Sequence, residues 1–128
     1  MAEVVVDASA LVDLLLGNEL GSAVQRRVAG HALHAPAHVD AEVLSALGRL
    51  QRAGSIGADD VETKLRELAG APILRHPLVD LMIGAWARRH HLRLADALYV
   101  ELAMSHGLPL VTTDRRLHPV PVADIMVE

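Results

Sequence analysis

Residues 94–117 read LADALYVELAMSHGLPLVTTDRRL, a helical pattern followed by a short apolar run that ends in two threonines and an aspartate. Asp96 falls in the first turn of the predicted helix, which covers residues 95–106 and is stopped by a glycine. The apolar run predicts a strand over residues 108–111, and Asp114 comes shortly after it. One helix and one strand therefore bring two carboxylates to the same end of the unit.

The N-terminus repeats this arrangement. Residues 3–6, EVVV, predict a buried strand, and Asp7 follows directly as the N-cap of a helix predicted over residues 8–16. In open α/β sheets, sites lie beyond the carboxyl ends of the strands. We therefore expect Asp7 and Asp114 to meet at one edge of a sheet.

The rest of the chain alternates between helical and strand patterns. Helices are predicted at residues 19–29, 36–53, 55–69 and from 76 to about 86, and short strands at 32–35, 72–75 and 120–126. Short strands that are apolar on both faces and alternate with helices are typical of a parallel sheet. The prediction is an α/β fold, with a central, mostly parallel sheet of four to five short strands flanked by helices, in one domain over residues 1–128.

Composition narrows the functional classes. A hydrophobic fraction of 52% allows a sizeable core, and the lack of cysteine excludes disulfides and thiolate zinc sites. The apolar runs are too short to span a bilayer and the start does not resemble a signal peptide, so we expect a cytoplasmic protein with no membrane contact. A net charge of -4 argues against a simple polyanion binder.

Each acid has a structural explanation by itself, as a helix cap, a first-turn charge or a turn residue. Together, Asp7, Asp96 and Asp114 would repel one another unless a cation neutralised them. Oxygen ligands without cysteine or paired histidines favour Mg²⁺ or Mn²⁺, and such an ion supports phosphoester hydrolysis. A further acid, Glu42 or Asp40, is expected from the helix over residues 36–53, and both alternatives stay open on spacing alone.

Three residues are predicted as secondary or substrate contacts. Ser9 could meet a phosphate or a water at the metal, Thr112 could hydrogen-bond the carboxylates, and Arg115 directly follows Asp114. The eight histidines show no metal-ligand spacing, and we expect them to be solvated or to cap helices. Trp86 is expected in the core or at a subunit interface.

Three stretches together resemble the PIN-domain family, and within it the small VapC-type toxins. They are VVVDASALVDLLL over residues 4–16, APAHVDAEVLSAL over 35–47 and RLADALYVELAMSHGLPLVTTDRRL over 93–117. The resemblance implies a ribonuclease whose acidic pocket holds Mg²⁺ or Mn²⁺ and hydrolyses RNA phosphodiesters. The positions that match the family's four acids and its small hydroxyl residue are Asp7, Glu42, Asp96, Asp114 and Ser9. The match at Glu42, rather than spacing, favours it over Asp40.

The resemblance also implies a homodimer that is silenced by a cognate VapB-type antitoxin. Ser45 stands where many relatives have asparagine, which puts a secondary contact in doubt. With only Trp86 and Tyr99 as aromatic residues outside histidine, base stacking is limited, and a structured RNA recognised by shape is expected.

Two alternatives are of another functional class. A doubly wound signalling module of the receiver type also carries acids at strand ends, but it needs a strand ending in aspartate in the middle of the chain and a late lysine. Here the only lysine is Lys64. A PIN-like fold kept only for binding is the second alternative, and intact acids at all four positions argue against it.

Overall fold

The computed structural model describes residues 2–127 and contains a five-stranded sheet flanked by helices. Its elements in chain order are β1 Glu3–Val6, α1 Ala8–Leu16, α2 Glu19–Val28, β2 Ala32–Pro36, α3 Val39–Arg52, α4 Ala58–Gly70, β3 Ile73–His76, a 3₁₀ turn Leu78–Asp80, α5 Met82–Ala87, α6 Leu94–His106, β4 Leu110–Thr112, a second 3₁₀ turn Arg115–Leu117 and β5 Ala123–Ile125. The predicted α/β class is confirmed. No helix within the described residues is both long and apolar enough to cross a membrane.

All strand pairs are parallel, and the strand order is β3-β2-β1-β4-β5. The chain moves from β1 toward one edge and returns to the other side of β1 with β4, so the gap between β1 and β4 is the topological switch point. A receiver-type sheet instead places β1 between β2 and β3. This order therefore excludes the signalling fold and places a crevice beyond β1 and β4.

The register between β1 and β4 determines which residues lie side by side where the two strands end. Val6 pairs with Val111, so Asp7 and Thr112 come next on neighbouring strands. The backbone N–H of Asp7 donates to the carbonyl of Val111 at 3.3 Å. Val6 and Val111 are almost fully buried, which holds this strand pair in place by apolar burial.

The helix α3, which carries Glu42, turns its apolar side chains toward the core. Val39, Val43 and Leu47 recur every four residues on α3 and are fully buried. The predicted start of this helix at Pro36 is wrong. Pro36 closes β2, where it pairs with His76 of β3, and the strand pairing continues to Pro36 before α3 begins at Val39.

The region after β3 also differs from its prediction. One continuous helix from residue 76 to about 86 was expected, but a 3₁₀ turn and the short α5 are found, and most of the large apolar side chains on them are exposed. Val79, Ile83 and Trp86 are 67%, 84% and 56% exposed, respectively, so of the two positions expected for Trp86 the core is excluded and a subunit interface stays a prediction. These side chains form an apolar face that no other element among residues 2–127 covers.

Candidate active site

A cleft of about 300 Å³ opens at the switch point beyond the carboxyl ends of β1 and β4. It collects side chains from α1, α3, the start of α6 and the second 3₁₀ turn. Its lining residues are Asp7, Ala8, Ser9, Val12, Asp13, Glu42, Ala46, Arg49, Arg93, Asp96, Tyr99, Asp114 and Arg116. Four acids predicted from separate segments of the sequence therefore share one cavity.

Asp7 is the innermost acid of the cleft, with 6% of its surface exposed. As the N-cap of α1, its Oδ1 accepts the backbone N–H of Ala10 at 2.9 Å and the hydroxyl of Ser9 at 2.7 Å. Its Oδ2 accepts the hydroxyl of Thr112. Burial raises the pKa of Asp7 to about 6, while these three donors act against the shift and Asp114 adds to it. Desolvation therefore outweighs the hydrogen bonds.

Asp114 has a different environment, because it is matched by a cation from its own turn. The guanidinium of Arg116 donates to both carboxylate oxygens, with Nη2 2.7 Å from Oδ2 and Nε 3.0 Å from Oδ1. The backbone N–H of Arg116 also reaches Oδ1 at 3.0 Å. The Arg116 side chain holds the pKa of Asp114 below its usual range.

Asp96 and Glu42 complete the acidic wall. Asp96 lies in the first turn of α6, and its Oδ2 accepts Nε of Arg93 at 3.1 Å. Oε1 of Glu42 accepts the hydroxyl of Tyr99 at 2.6 Å and lies 3.4 Å from Nε2 of His38. Tyr99 is 2% exposed, so a buried donor fixes the direction of the Glu42 carboxylate.

The alternative acid of α3 points elsewhere. Asp40 forms a two-point pair with Arg75, with distances of 2.8 and 2.9 Å, and lines a separate surface pocket with Leu65 and Leu68. Of the two alternatives, Glu42 is the one that the fold brings to the cleft.

The predicted secondary residues are placed in three different ways. Ser9 lines the cleft, and its hydroxyl also accepts the backbone N–H of Thr113 at 3.2 Å. Thr112 is fully buried beneath Asp7, so it can orient the carboxylate but cannot meet a substrate. Arg115 is exposed and does not line the cleft, whereas its neighbour Arg116 does.

The set of site residues predicted from the sequence did not include several residues that line the cleft. These are Asp13, Arg49, Arg93, Tyr99 and Arg116. Helical spacing carries a signal for three of them, since Tyr99 and Arg93 are three residues from Asp96, and Arg49 is seven from Glu42. Asp13 lies one and a half turns beyond Asp7 on α1, and its Oδ2 accepts the Thr113 hydroxyl at 2.7 Å.

The donor set of the cleft fits a hard divalent cation, because its candidate ligands are all carboxylate oxygens. Asp7 also gains from such an ion, since a nearby positive charge would favour its ionised form. Among residues 2–127, no three His, Cys, Asp or Glu side chains stand close enough to hold a metal as they are. Asp96 and Asp114 instead point their oxygens at arginines.

A family model described as the PIN domain matches residues 4–122. The chain belongs to the PIN-domain family. It is 60% identical over 116 residues to Ribonuclease VapC3 of Mycobacterium tuberculosis, a match that covers 90% of this chain and 85% of that protein. This identity places the chain among the VapC ribonucleases of the family.

Solved structures agree with this PIN-domain assignment. PAE2754 from Pyrobaculum aerophilum superposes with a TM-score of 0.68 at 29% identity, covering 95% of this chain and 82% of that one. A toxin-antitoxin complex from Klebsiella pneumoniae contains a chain with a TM-score of 0.65 at 16% identity, covering 98% and 99% of the two chains. The second likeness shows the fold alone.

Proposed function

We propose that this PIN-domain chain is a metal-dependent endoribonuclease that hydrolyses RNA phosphodiester bonds, and that it acts as the toxin of a VapBC-type system. The observation that carries the proposal is the meeting of Asp7, Glu42, Asp96 and Asp114 in one cleft. The 60% identity to a named VapC ribonuclease supports the reaction class. PIN-domain ribonucleases generally depend on a divalent metal, and we propose Mg²⁺, for which Mn²⁺ can substitute.

The carboxylates of Asp7, Asp96 and Asp114 would hold the ion. When bound, a divalent ion activates water and stabilises negative charge on a phosphoryl group. Ser9 and Thr112 orient the Asp7 carboxylate from opposite oxygens, which keeps both of its oxygens directed.

Glu42 is the group we assign to orienting the attacking water. Its side chain is 34% exposed, so it reaches solvent, and Tyr99 fixes Oε1 from the buried side. Ser9 lines the cleft and can donate to a phosphate oxygen of the substrate. Arg116, rather than Arg115, is the cation of this turn that faces the cleft.

We further propose a homodimer and a VapB-type antitoxin as partners. The exposed apolar face formed by Val79, Met82, Ile83 and Trp86 supplies a surface that a second copy would cover. The 60% identity to Ribonuclease VapC3 supports the VapC assignment, and the resemblance to VapC-type toxins implies a VapB-type antitoxin. A cytoplasmic location belongs to this proposal, because the RNA substrate is there.

The proposal is tested by expressing the chain without a partner in a bacterial host, beside its Asp96→Asn variant. New RNA 5′ ends are mapped across the transcriptome while growth is followed. We expect new ends at a few sites with the wild type only, because the variant loses one ligand charge and keeps its fold. Equal cutting by the variant would contradict the site assignment, and purified protein with equal circular dichroism serves as the folding control.

A further inference from the structure

The acidic cleft contains its own cations. Arg49, Arg93 and Arg116 all line it, from α3, the start of α6 and the second 3₁₀ turn, respectively. Two of these arginines are paired with carboxylates that we assign to metal binding, and the third is not paired with any carboxylate among the described residues. In two of these three cases, therefore, an arginine of the cleft and a proposed metal-binding carboxylate neutralise each other.

Local backbone geometry makes both pairs. Asp114 caps the 3₁₀ turn in which Arg116 lies, so the two side chains start two residues apart. Arg93 is the N-cap residue of α6 and lies three residues before Asp96, on the same side of the helix. Each pair is local in sequence, because its two residues are only two or three positions apart.

A carboxylate lone pair that accepts an N–H of a guanidinium cannot bind a metal ion at the same time. Both oxygens of Asp114 accept from Arg116, and one oxygen of Asp96 accepts from Arg93. The arginine side chains are 65% exposed in both pairs, whereas the aspartates are only 17% and 19% exposed. The arginine is thus the more exposed partner of each pair, so it can turn toward solvent while the more buried carboxylate stays in the cleft.

A guanidinium released in this way would remain in the cleft that Ser9 also lines, where we propose that the substrate phosphate binds. Arginine binds phosphate oxygens through two parallel N–H donors, which is a strong and geometrically specific contact. Asp7 differs from Asp96 and Asp114, because its hydrogen-bond partners are two hydroxyls and a backbone N–H, which are neutral. Neutral donors do not have to leave when a cation binds the carboxylate.

We propose that Arg93 and Arg116 are exchangeable counter-cations of the metal ligands, which a divalent ion displaces and which then bind the RNA phosphate. This inference rests on the proposed function, since it names the groups that position substrate at the same site. Asp96 and Asp114 accept hydrogen bonds from Arg93 and Arg116, and among residues 2–127 no three candidate ligands lie close enough together to form a ready ligand cluster. In the loaded protein the two arginines are positioning residues for the substrate.

The test is a Mn²⁺ titration by calorimetry, without RNA, of the wild type, Arg116→Ala, Arg93→Ala and Arg49→Ala. Arg49→Ala is the matched control, because it removes the same charge from the same cleft without releasing a carboxylate. We expect Arg116→Ala and Arg93→Ala to bind Mn²⁺ about two- to fivefold more tightly than Arg49→Ala, the range for losing an exposed competing ion pair. Equal affinity in the three variants, or weaker binding in the first two, overturns the exchange.

The second measurement is cleavage of the mapped RNA site at saturating Mn²⁺. If Arg116 moves from Asp114 to the RNA phosphate, the Arg116→Ala variant should cut RNA roughly tenfold more slowly although it binds the metal ion more tightly, because a charge-assisted contact to phosphate is lost. A purely structural role for Arg116 would move metal affinity and cleavage in the same direction. If the wild type cut no RNA while the Mn²⁺ contrast persisted, the proposed function and the phosphate role of the arginines would both be overturned, and only their competition with the metal ion for the carboxylates would stand.

Discussion

The two ends of α6 carry ionisable groups that are organised in opposite ways. At its start, Asp96 faces the cleft, where carboxylates line an open cavity and exposed arginines pair with Asp96 and Asp114. At its end, His106 joins what we call the histidine cluster, with Glu3 of β1, His34 of β2 and His76 of β3. The cleft shares its charges with solvent, while the cluster satisfies most of its hydrogen bonds internally.

His34 shows how complete that satisfaction is. It is 6% exposed, its Nδ1 lies 2.8 Å from Nε2 of His76, and its Nε2 lies 2.8 Å from Oε1 of Glu3. The expectation that the histidines would be solvated or would cap helices is wrong for His34. The comparison teaches that buried ionisable residues do not by themselves mark a site, and that a cavity with directed, reachable oxygens is the better sign.

The largest expected difference between the cleft and the histidine cluster is in catalysis. Asp7→Asn should lower RNA cleavage about a thousandfold, since a ligand charge worth several kcal/mol in the transition state is removed. His34→Gln, in the histidine cluster, should leave the cleavage rate per folded molecule within about twofold of wild type, because His34 contacts nothing in the cleft. Single-turnover rates on the mapped RNA measure both, and an active Asp7→Asn would break the comparison.

The second prediction concerns the stability of the metal-free protein. The pKa of Asp7 is about 6 in the fold because burial disfavours its charge. Between pH 4 and 6 the unfolded state therefore releases a proton that the folded state keeps, and stability falls as the pH rises. The loss is roughly 3 kcal/mol at about 1.4 kcal/mol per pH unit. Urea unfolding in EDTA should show this slope, and Asp7→Asn should remove it.

The third prediction concerns the histidine cluster. His34→Ala should lower the free energy of unfolding by about 2 kcal/mol, because it leaves a small cavity and unpairs two polar partners. Urea unfolding at pH 7.5 measures it, with His118→Ala as the control, since His118 is exposed. A change no larger than that of the control would mean that the cluster is only a surface contact.

The smallest expected effect is a pH dependence of opposite sign. Burial, helped by His34 and His106, lowers the pKa of His76, while Asp80 acts the other way. As the pH falls below about 6.5, the unfolded state gains a proton before the folded state does, so this group costs stability on acidification. His76→Gln should flatten that part of the curve, and a steeper curve in the variant would contradict the assigned shift.

Much of the site could be predicted because its parts are local. Asp7 follows β1 directly and caps α1, and Asp96 sits in the first turn of α6, so each acid is tied to the end of an element that the hydrophobic pattern reveals. Tyr99 was assigned no site role although it lies on the same helix as Asp96. Its function depends on Glu42, which comes from a segment 57 residues earlier.

The sequence alone determined the class of fold, the start of α1, the two ends of α6 and the acids Asp7 and Asp96 that lie there, because these follow from hydrophobic period and capping chemistry within a few residues. Only the tertiary structure decided that Glu42 and not Asp40 reaches the cleft, that α5 presents its apolar face outward, and that His34 is buried. Those outcomes depend on which elements become neighbours, and the strand order that sets this is a property of packing between distant segments.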